Sequence, residues 1–277
     1  MAFPVIAYSS MLHASTSTVT DPGTEVNYDY HSLFDYRVAP VWKSNTTVKP
    51  INIDIDCGAS STKDADYIAL VNHNLFTLGA TVKVMADTTP TPTTQRMAAT
   101  AVTQNTVTYL PFTAPGVFRY WRIQITVAGA SFASAPYIGD IFMGLKTTCP
   151  EYMTPEFDPY FDDVEISGSE ASEGGHYLGS VARGHSHRGN IAFGEAGASR
   201  TALDAGLTTF ISSHAVMRRP FFFILDTADS GTFTEFATAH YIKMPRDGRV
   251  SRRAVGGTWS RVTVTIPVEE AYMEPAA

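Results

Sequence analysis

The 277-residue chain has only two cysteines, Cys57 and Cys149. Two thiols cannot build the many-bridged framework on which small secreted domains depend, so both are expected as free thiols. Charge is scarce as well: Asp, Glu, Lys and Arg make up 17% of the residues, and 20 basic against 27 acidic side chains leave a net charge of −7. Affinity for nucleic acid depends on Lys and Arg displacing counterions from phosphates, so no nucleic-acid partner is expected. No stretch of about 18 apolar residues occurs, which leaves no candidate membrane-spanning helix. The opening Met1-Ala2-Phe3-Pro4-Val5-Ile6 has no basic run and is interrupted by Pro4, which makes it a poor signal peptide. Synthesis in the cytoplasm is the expectation.

Recognisable chemistry is also missing. Gly184-His185-Ser186-His187-Arg188-Gly189 puts two histidines at i and i+2, on one side of a strand, where they could share a metal. His176, His214 and His240 offer no spacing that completes the site, and surface or interface histidines are the simpler reading. Ser186 does not fit a nucleophile elbow, because Arg188 stands where the second glycine belongs. Cys57 lacks the cationic neighbour or helix N-terminus that would lower a thiol's pKa, and it reads as a packed sandwich cysteine. Asp54, Asp56, Asp64 and Asp66 could supply oxygens to calcium, but not at an EF-hand spacing. No catalytic, cofactor-binding or metal-binding residue is assigned, no cofactor is expected, and the chain is expected not to be an enzyme.

What the sequence does contain is β-structure. Hydrophobic residues reach 44% and aromatics 12%, the composition of a folded protein, and the length suits two domains. From Pro50 to Gly144, short β-branched or aromatic runs alternate with Gly, Pro, Asn and Asp: Ile51–Ile55, Asp66–Val71, Ala80–Met85, Thr106–Leu110, Tyr120–Val127 and Tyr137–Phe142. In the fifth run Trp121, Ile123, Ile125 and Val127 alternate with Arg122, Gln124 and Thr126, which marks one buried and one wet face. Asp87–Thr94, rich in Thr and Pro, is expected as an exposed loop. The expected fold is mainly β: an N-terminal jelly-roll sandwich over 1–150 and a C-terminal β-sandwich or barrel with one helix over 176–277.

Between them, 151–175 reads as an acidic linker. Glu151, Glu156, Asp158, Asp162, Asp163, Glu165, Glu170 and Glu173 occur there with Pro155 and Pro159 and without a basic residue. Self-repulsion and proline stiffness would keep such a segment extended. Beyond it, 199–214 carries helical periodicity, with Leu203, Leu207, Phe210, Ile211 and His214 on one face and Ser199 or Thr201 as N-cap. Pro220 stops the helix. Phe221–Leu225, His240–Met244 and the alternating Val262, Val264, Ile266 and Val268 follow as strands.

Two surfaces stand out as candidates for contact. Tyr28, Tyr30, Tyr36 and Trp42, with Phe34, form an aromatic-rich segment that could serve a ligand or partner, or pack the core. Ten of the fourteen arginines lie after residue 180, and Arg246, Arg249, Arg252 and Arg253 cluster in a glycine-rich stretch expected as a mobile loop. Arginine forks match carboxylates, so the loop and the linker's Asp158, Asp162 and Asp163, taken from a neighbouring copy, form a candidate assembly interface.

Ile53-Asp-Ile-Asp-Cys-Gly-Ala-Ser60, Ala65-Asp-Tyr-Ile-Ala-Leu-Val-Asn-His-Asn-Leu75, Ala80-Thr-Val-Lys-Val84 and Arg119-Tyr-Trp-Arg-Ile-Gln-Ile125 together resemble the galactose-binding-like, discoidin-type jelly roll over residues 25–145. The resemblance implies a domain that binds sugars, lipids or proteins through its loops. The Asp66–Leu75 piece also resembles forms found in virion proteins of tailed bacteriophages. The helix, Arg218-Arg-Pro-Phe-Phe-Phe-Ile-Leu-Asp226 and Trp259-Ser-Arg-Val-Thr-Val-Thr-Ile-Pro-Val-Glu-Glu-Ala271 resemble the tail-tube-derived module of distal tail or baseplate proteins, although here that module follows the sandwich. The resemblance implies a structural protein of the virion tail that forms a homo-oligomeric ring, a hexamer by expectation. That ring would join the tail tube to tip or fibre proteins. The alternatives are a carbohydrate-binding module for host-surface glycans, and a neck or head decoration protein.

Overall fold

The structure, a computed structural model, describes residues 4–149, 162–171, 177–199, 207–224, 239–255, 258–271 and 274–275; for 162–171, 177–187, 194–199, 254–255, 258–262 and 274–275 it describes the backbone alone. The protein is mainly β. Its chain divides into two compact units, one over Ala7–Thr147 and one that joins the start of the chain, up to Ile6, to everything from Thr148 onward. Val5 and Ile6, read from the sequence with the N-terminal domain, therefore belong to the C-terminal one. The reason is strand β1 (Val5–Ala7), three consecutive apolar residues that are all buried.

In the N-terminal unit, β2 (Thr18–Val19), β3 (Trp42–Lys43), β4 (Ile51–Asp56), β5 (Tyr67–His73), β6 (Ala80–Asp87), β7 (Gln95–Ala101), β8 (Val107–Pro111), β9 (Tyr120–Val127) and β10 (Tyr137–Gly144) form two sheets. One has the order β2-β4-β9-β6-β7 and the other β3-β10-β5-β8. All six strands expected from the sequence are present, within a few residues at each end. Ile51, Ile53 and Ile55 of β4, Val82 and Val84 of β6, and Trp121, Ile123 and Ile125 of β9 share one core with Ile68 and Leu70 of β5 and Ile138, Ile141 and Met143 of β10. The alternation therefore works as read: every second residue leaves water. On the outer face of the larger sheet Gln124 donates to Asn52 at 3.0 Å, Arg122 grips Asp54 through two nitrogens, and Arg119 does the same to Asp56 at 2.8 Å.

Backbone crowding fixes one glycine in this unit. A Cβ on Gly144 would lie 2.2 Å from the carbonyl oxygen of Ser9, so only glycine lets the Ser9 segment pass β10. Met11 N donates to Met143 O at 2.8 Å beside it, and the Tyr67 hydroxyl donates to Ser9 O.

The C-terminal unit is built on a nine-stranded sheet. With β11 (Thr147–Thr148), β12 (Asp162–Ala171), β13 (Tyr177–Ser199), β14 (Phe221–Ile224), β15 (His240–Lys243), β16 (Ser251–Val255), β17 (Thr258–Glu270) and β18 (Glu274–Pro275), its order is β11-β1-β14-β15-β17-β13-β12, and β16 also pairs with β17 and β18 with β13. Ile191 and Phe193 of β13, Phe221 to Ile224 of β14, Tyr241 and Ile242 of β15, and Val264, Ile266 and Val268 of β17 are buried.

Three expectations need correction here. Residues 162–171 are not a connector but strand β12, antiparallel to β13, with Asp162 opposite Arg188 and Asp163 opposite His187. Val164 and Ile166 alternate there with Asp163 and Glu165, a period-two signal that the acidic composition outweighed. The remainder of the expected linker, including Asp158, lies outside the described residues. Of the expected helix, 207–210 is regular helix and continues as a wider π turn over Ile211–Ala215 instead of ending at 214. Ser199 belongs to β13; Thr201 and Leu203, with the rest of 200–206, lie outside the described residues. Leu207, Phe210, Ile211 and His214 are all buried, as their spacing demanded. Arg252 and Arg253, third, sit on β16 opposite Val264 and Thr263, so half of the expected arginine loop is sheet. Among the described residues no helix is long and apolar enough to cross a membrane.

Candidate functional site

The N-terminal unit carries an open groove of about 470 Å³ lined by Tyr28, Val41, Lys43, Asn74, Ser134, Ala135 and Tyr137. Register explains how the sequence makes it. In the β3–β10 pair, Trp42 lies opposite Ile138 and Lys43 opposite Tyr137. Trp42 and Ile138 are buried, so pleating turns the adjacent pair, Lys43 and Tyr137, outward on the same side.

Two turns complete the walls. Glu25-Val26-Asn27-Tyr28 is closed by Tyr28 N donating to Glu25 O at 3.0 Å, with Asn27 at φ 76°, a left-handed conformation that asparagine tolerates better than most residues. This turn leaves Tyr28 40% and Val26 82% exposed. On the other side the Asn74 amide donates to Ala135 O at 3.1 Å and its oxygen accepts from Tyr137 N at 2.9 Å. Asn74 thus holds the 134–137 segment in place with both ends of its side chain.

The groove's charges are paired. Lys43 Nζ lies 2.8 Å from Glu25 Oε2 and 5.5 Å from the centre of the Tyr28 ring. Glu25 N donates to Lys43 O at 2.9 Å, so the two residues are also joined through their backbones. The hydrogen bond that the Lys43 ammonium donates to Glu25 raises the Lys43 pKa above the ordinary lysine value, favouring the charged form. Tyr28, the Lys43 ammonium and Ser134 therefore line one shallow surface, with the Glu25 carboxylate held against the ammonium. Such an arrangement can bind a polyhydroxylated ligand; it offers no nucleophile and base in contact.

Of the four aromatic residues singled out in the sequence, only Tyr28 reaches this groove. Trp42 is fully buried and donates from Nε1 to Thr24 Oγ1 at 3.1 Å. Tyr30 lies in a 3-10 turn over Tyr30–Phe34, capped by Asp29, and packs against the core. Tyr36 stacks on His13 with 4.0 Å between ring centres. Lys43, Asn74, Ser134, Tyr137 and Glu25 were not read from the sequence. Tyr137 and Lys43 each begin or end a strand next to a buried residue, and that outward position was the available signal.

The other candidate chemistry is occupied by structure. Asp54 and Asp56 hold Arg122 and Arg119, Asp64 accepts from Ala65 N at 2.8 Å, and Asp66 accepts from Lys146 N at 2.8 Å. These carboxylates point to arginine and backbone rather than to a shared ion. Cys57 and Cys149 are both buried free thiols, and burial pushes both pKa values up, away from thiolate reactivity. His185, Ser186 and His187 are consecutive positions of β13, and their side chains lie outside the described residues. Arg246, Arg249, Arg252 and Arg253 are exposed, and Arg218 Nη2 donates to Arg246 O at 2.6 Å. That bond ties the exposed Val216–Arg219 turn to the arginine-bearing one.

Chains of known structure to which this one is similar in its mainly β fold include carbohydrate-binding modules. Chitosan-binding module 1 of a chitosanase/glucanase from Paenibacillus sp. IK-5 is 20% identical, with a TM-score of 0.38, covering 49% of this chain and 98% of its own. The family 32 module of NanJ from Clostridium perfringens, solved in complex with galactose, is 15% identical, with a TM-score of 0.38, covering 50% and 98%. No family model matches the chain. No curated protein matches it either.

Proposed function

We propose that the N-terminal unit is a carbohydrate-binding module whose site is the Tyr28–Lys43–Tyr137 groove. The observation that carries this reading is the exposed Tyr28 ring beside the Lys43–Glu25 pair. A pyranose has one face of C–H groups and a rim of hydroxyls. The ring suits the former, and a donor and an acceptor side by side suit the latter. Aromatic truncation tests it. Titration of the full chain with a panel of simple glycosides should give binding that Tyr28→Ala weakens at least tenfold while leaving the thermal midpoint unchanged. Unaltered binding in Tyr28→Ala would place the site elsewhere.

The C-terminal unit supports a second reading, that of an assembly module in a virion tail. Exposed Arg246, Arg249, Arg252 and Arg253, together with exposed Val216 and Met217, make a basic surface with apolar content. Such a surface suits an acidic partner, including a second copy or a neighbouring tail protein. In this reading the protein forms a homo-oligomeric ring, a hexamer by analogy, and the sandwich meets the host's glycans. Light scattering at high concentration checks it: wild type should associate and Arg246→Glu with Arg249→Glu should not. A strictly monomeric wild type would remove this reading and leave the first intact.

A further inference from the structure

The charges of the groove bear on the class of sugar it holds. Resting on the carbohydrate reading, we propose that Glu25 sets ligand class: it makes the groove electrically neutral, so that uncharged pyranosides bind and uronic or other acidic sugars are refused. Among the described residues lining the groove Lys43 is the only charged one, and alone it would be a natural receptor for a carboxylate. It is already taken, because Glu25 Oε2 stands 2.8 Å from its Nζ.

The pairing is built in. Glu25 N donates to Lys43 O, an isolated bridge pairs Thr24 with Ser44 in the next register position, and the turn bond from Tyr28 N to Glu25 O fixes the other side. Both side chains keep access to solvent, 32% for Lys43 and 41% for Glu25, so a ligand can reach either. A neutral vicinal diol satisfies both at once: the carboxylate accepts from a hydroxyl, and the ammonium donates to a hydroxyl oxygen. An acidic sugar must either displace Glu25 from Lys43 or place its own carboxylate beside that of Glu25. Like charges in contact at a protein surface weaken affinity by roughly tenfold or more. Asn74 and Tyr137 do not change this balance, since neither carries charge at neutral pH.

The test uses the full chain and titrates it with methyl glycosides of glucose and galactose and with glucuronate and galacturonate, followed by calorimetry or ligand-observed NMR. Wild type should bind a neutral glycoside at least tenfold better than the matching uronate. Glu25→Gln keeps the shape, frees Lys43, and should bring the ratio to about threefold or invert it, with no change in thermal midpoint. Lys43→Gln is the counterpart: it leaves Glu25 unpaired and should widen discrimination against uronates. Equal binding of uronate and neutral sugar by wild type, or an unmoved ratio in Glu25→Gln, overturns the inference while the carbohydrate reading stands. Failure of every sugar with wild type and both variants overturns the two together.

Discussion

His73 shows how much one buried polar side chain fixes. It is 1% exposed on β5, its Nε2 is 3.2 Å from Thr108 Oγ1, and its Nδ1 accepts from Leu75 N at 3.3 Å. Those partners suit the neutral ring, with the proton on Nε2, and burial lowers its pKa from 6.5 to about 4. The folded state therefore keeps the ring neutral where the unfolded chain takes up a proton. This stabilisation is complete above pH 6.5 and is lost as pH falls from 6.5 towards 4, by up to roughly 3 kcal/mol. Urea unfolding at pH 7.5 and pH 5 should show the loss in wild type and a smaller one in His73→Gln. Trp42 tests the opposite of a surface role. Trp42→Ala should cost about 3–5 kcal/mol, as truncation of a buried tryptophan does, with a matching fall in thermal midpoint. The sequence signalled an aromatic segment around these positions but not which members were buried. A two-residue strand has no alternation of its own, and Trp42 faces inward only because Ile138 lies opposite. Glu25 and Lys43 were illegible for the same reason: their pairing is made by a turn and a bridge, not by spacing.

At the level of elements, strands with strong alternation were legible and those without were not. β4 follows the pattern residue by residue and β9 does so up to the half-buried Val127, whereas β7 has the sequence Gln-Arg-Met-Ala-Ala-Thr-Ala and lies at the sheet edge with only Met97 buried. An edge strand needs few apolar residues, so periodicity does not report it. β12 was missed for a related reason, its charge concealing Val164 and Ile166. The helix was legible by its apolar face, Leu207, Phe210, Ile211 and His214 all being buried, whereas Ser199, a good cap in isolation, belongs to β13. β10 offers the sharpest test at this scale. Gly144→Ala forces the Ser9 carbonyl and β10 apart, and should cost about 1–3 kcal/mol, the usual penalty of overpacking. Gly129→Ala, where the nearest atom is 3.6 Å away and φ is not positive, should cost much less in the same unfolding assay.

At the scale of the molecule, the sandwich of residues 7–147 is an insertion in the sequence of the other unit. Two domains were legible from length and from the change of pattern, yet the first strand was assigned to the wrong one. Three apolar residues in a row give no clue to their partner, and only the sheet order β11-β1-β14 reveals it. Removing residues 1–6 should therefore leave the stability of the N-terminal unit unchanged and lower that of the C-terminal unit. Domain-resolved hydrogen exchange on the truncated chain checks this; a loss of protection confined to β4, β9 and β10 would contradict it.

The same feature sets an order of events at the ribosome. Val5 and Ile6 emerge ahead of both neighbours of their strand in the sheet: β11 begins at Thr147, and β14 more than two hundred residues after Val5, at Phe221. At a synthesis rate of about 5–20 residues per second the wait lasts on the order of ten to forty seconds. Until β11 at Thr147 and then β14 are made, the sandwich can close while one or both edges of this strand stay open to pairing with a neighbouring nascent chain. Among ribosomes crowded on one message, such an open strand edge gives slow translation a direct route to aggregation.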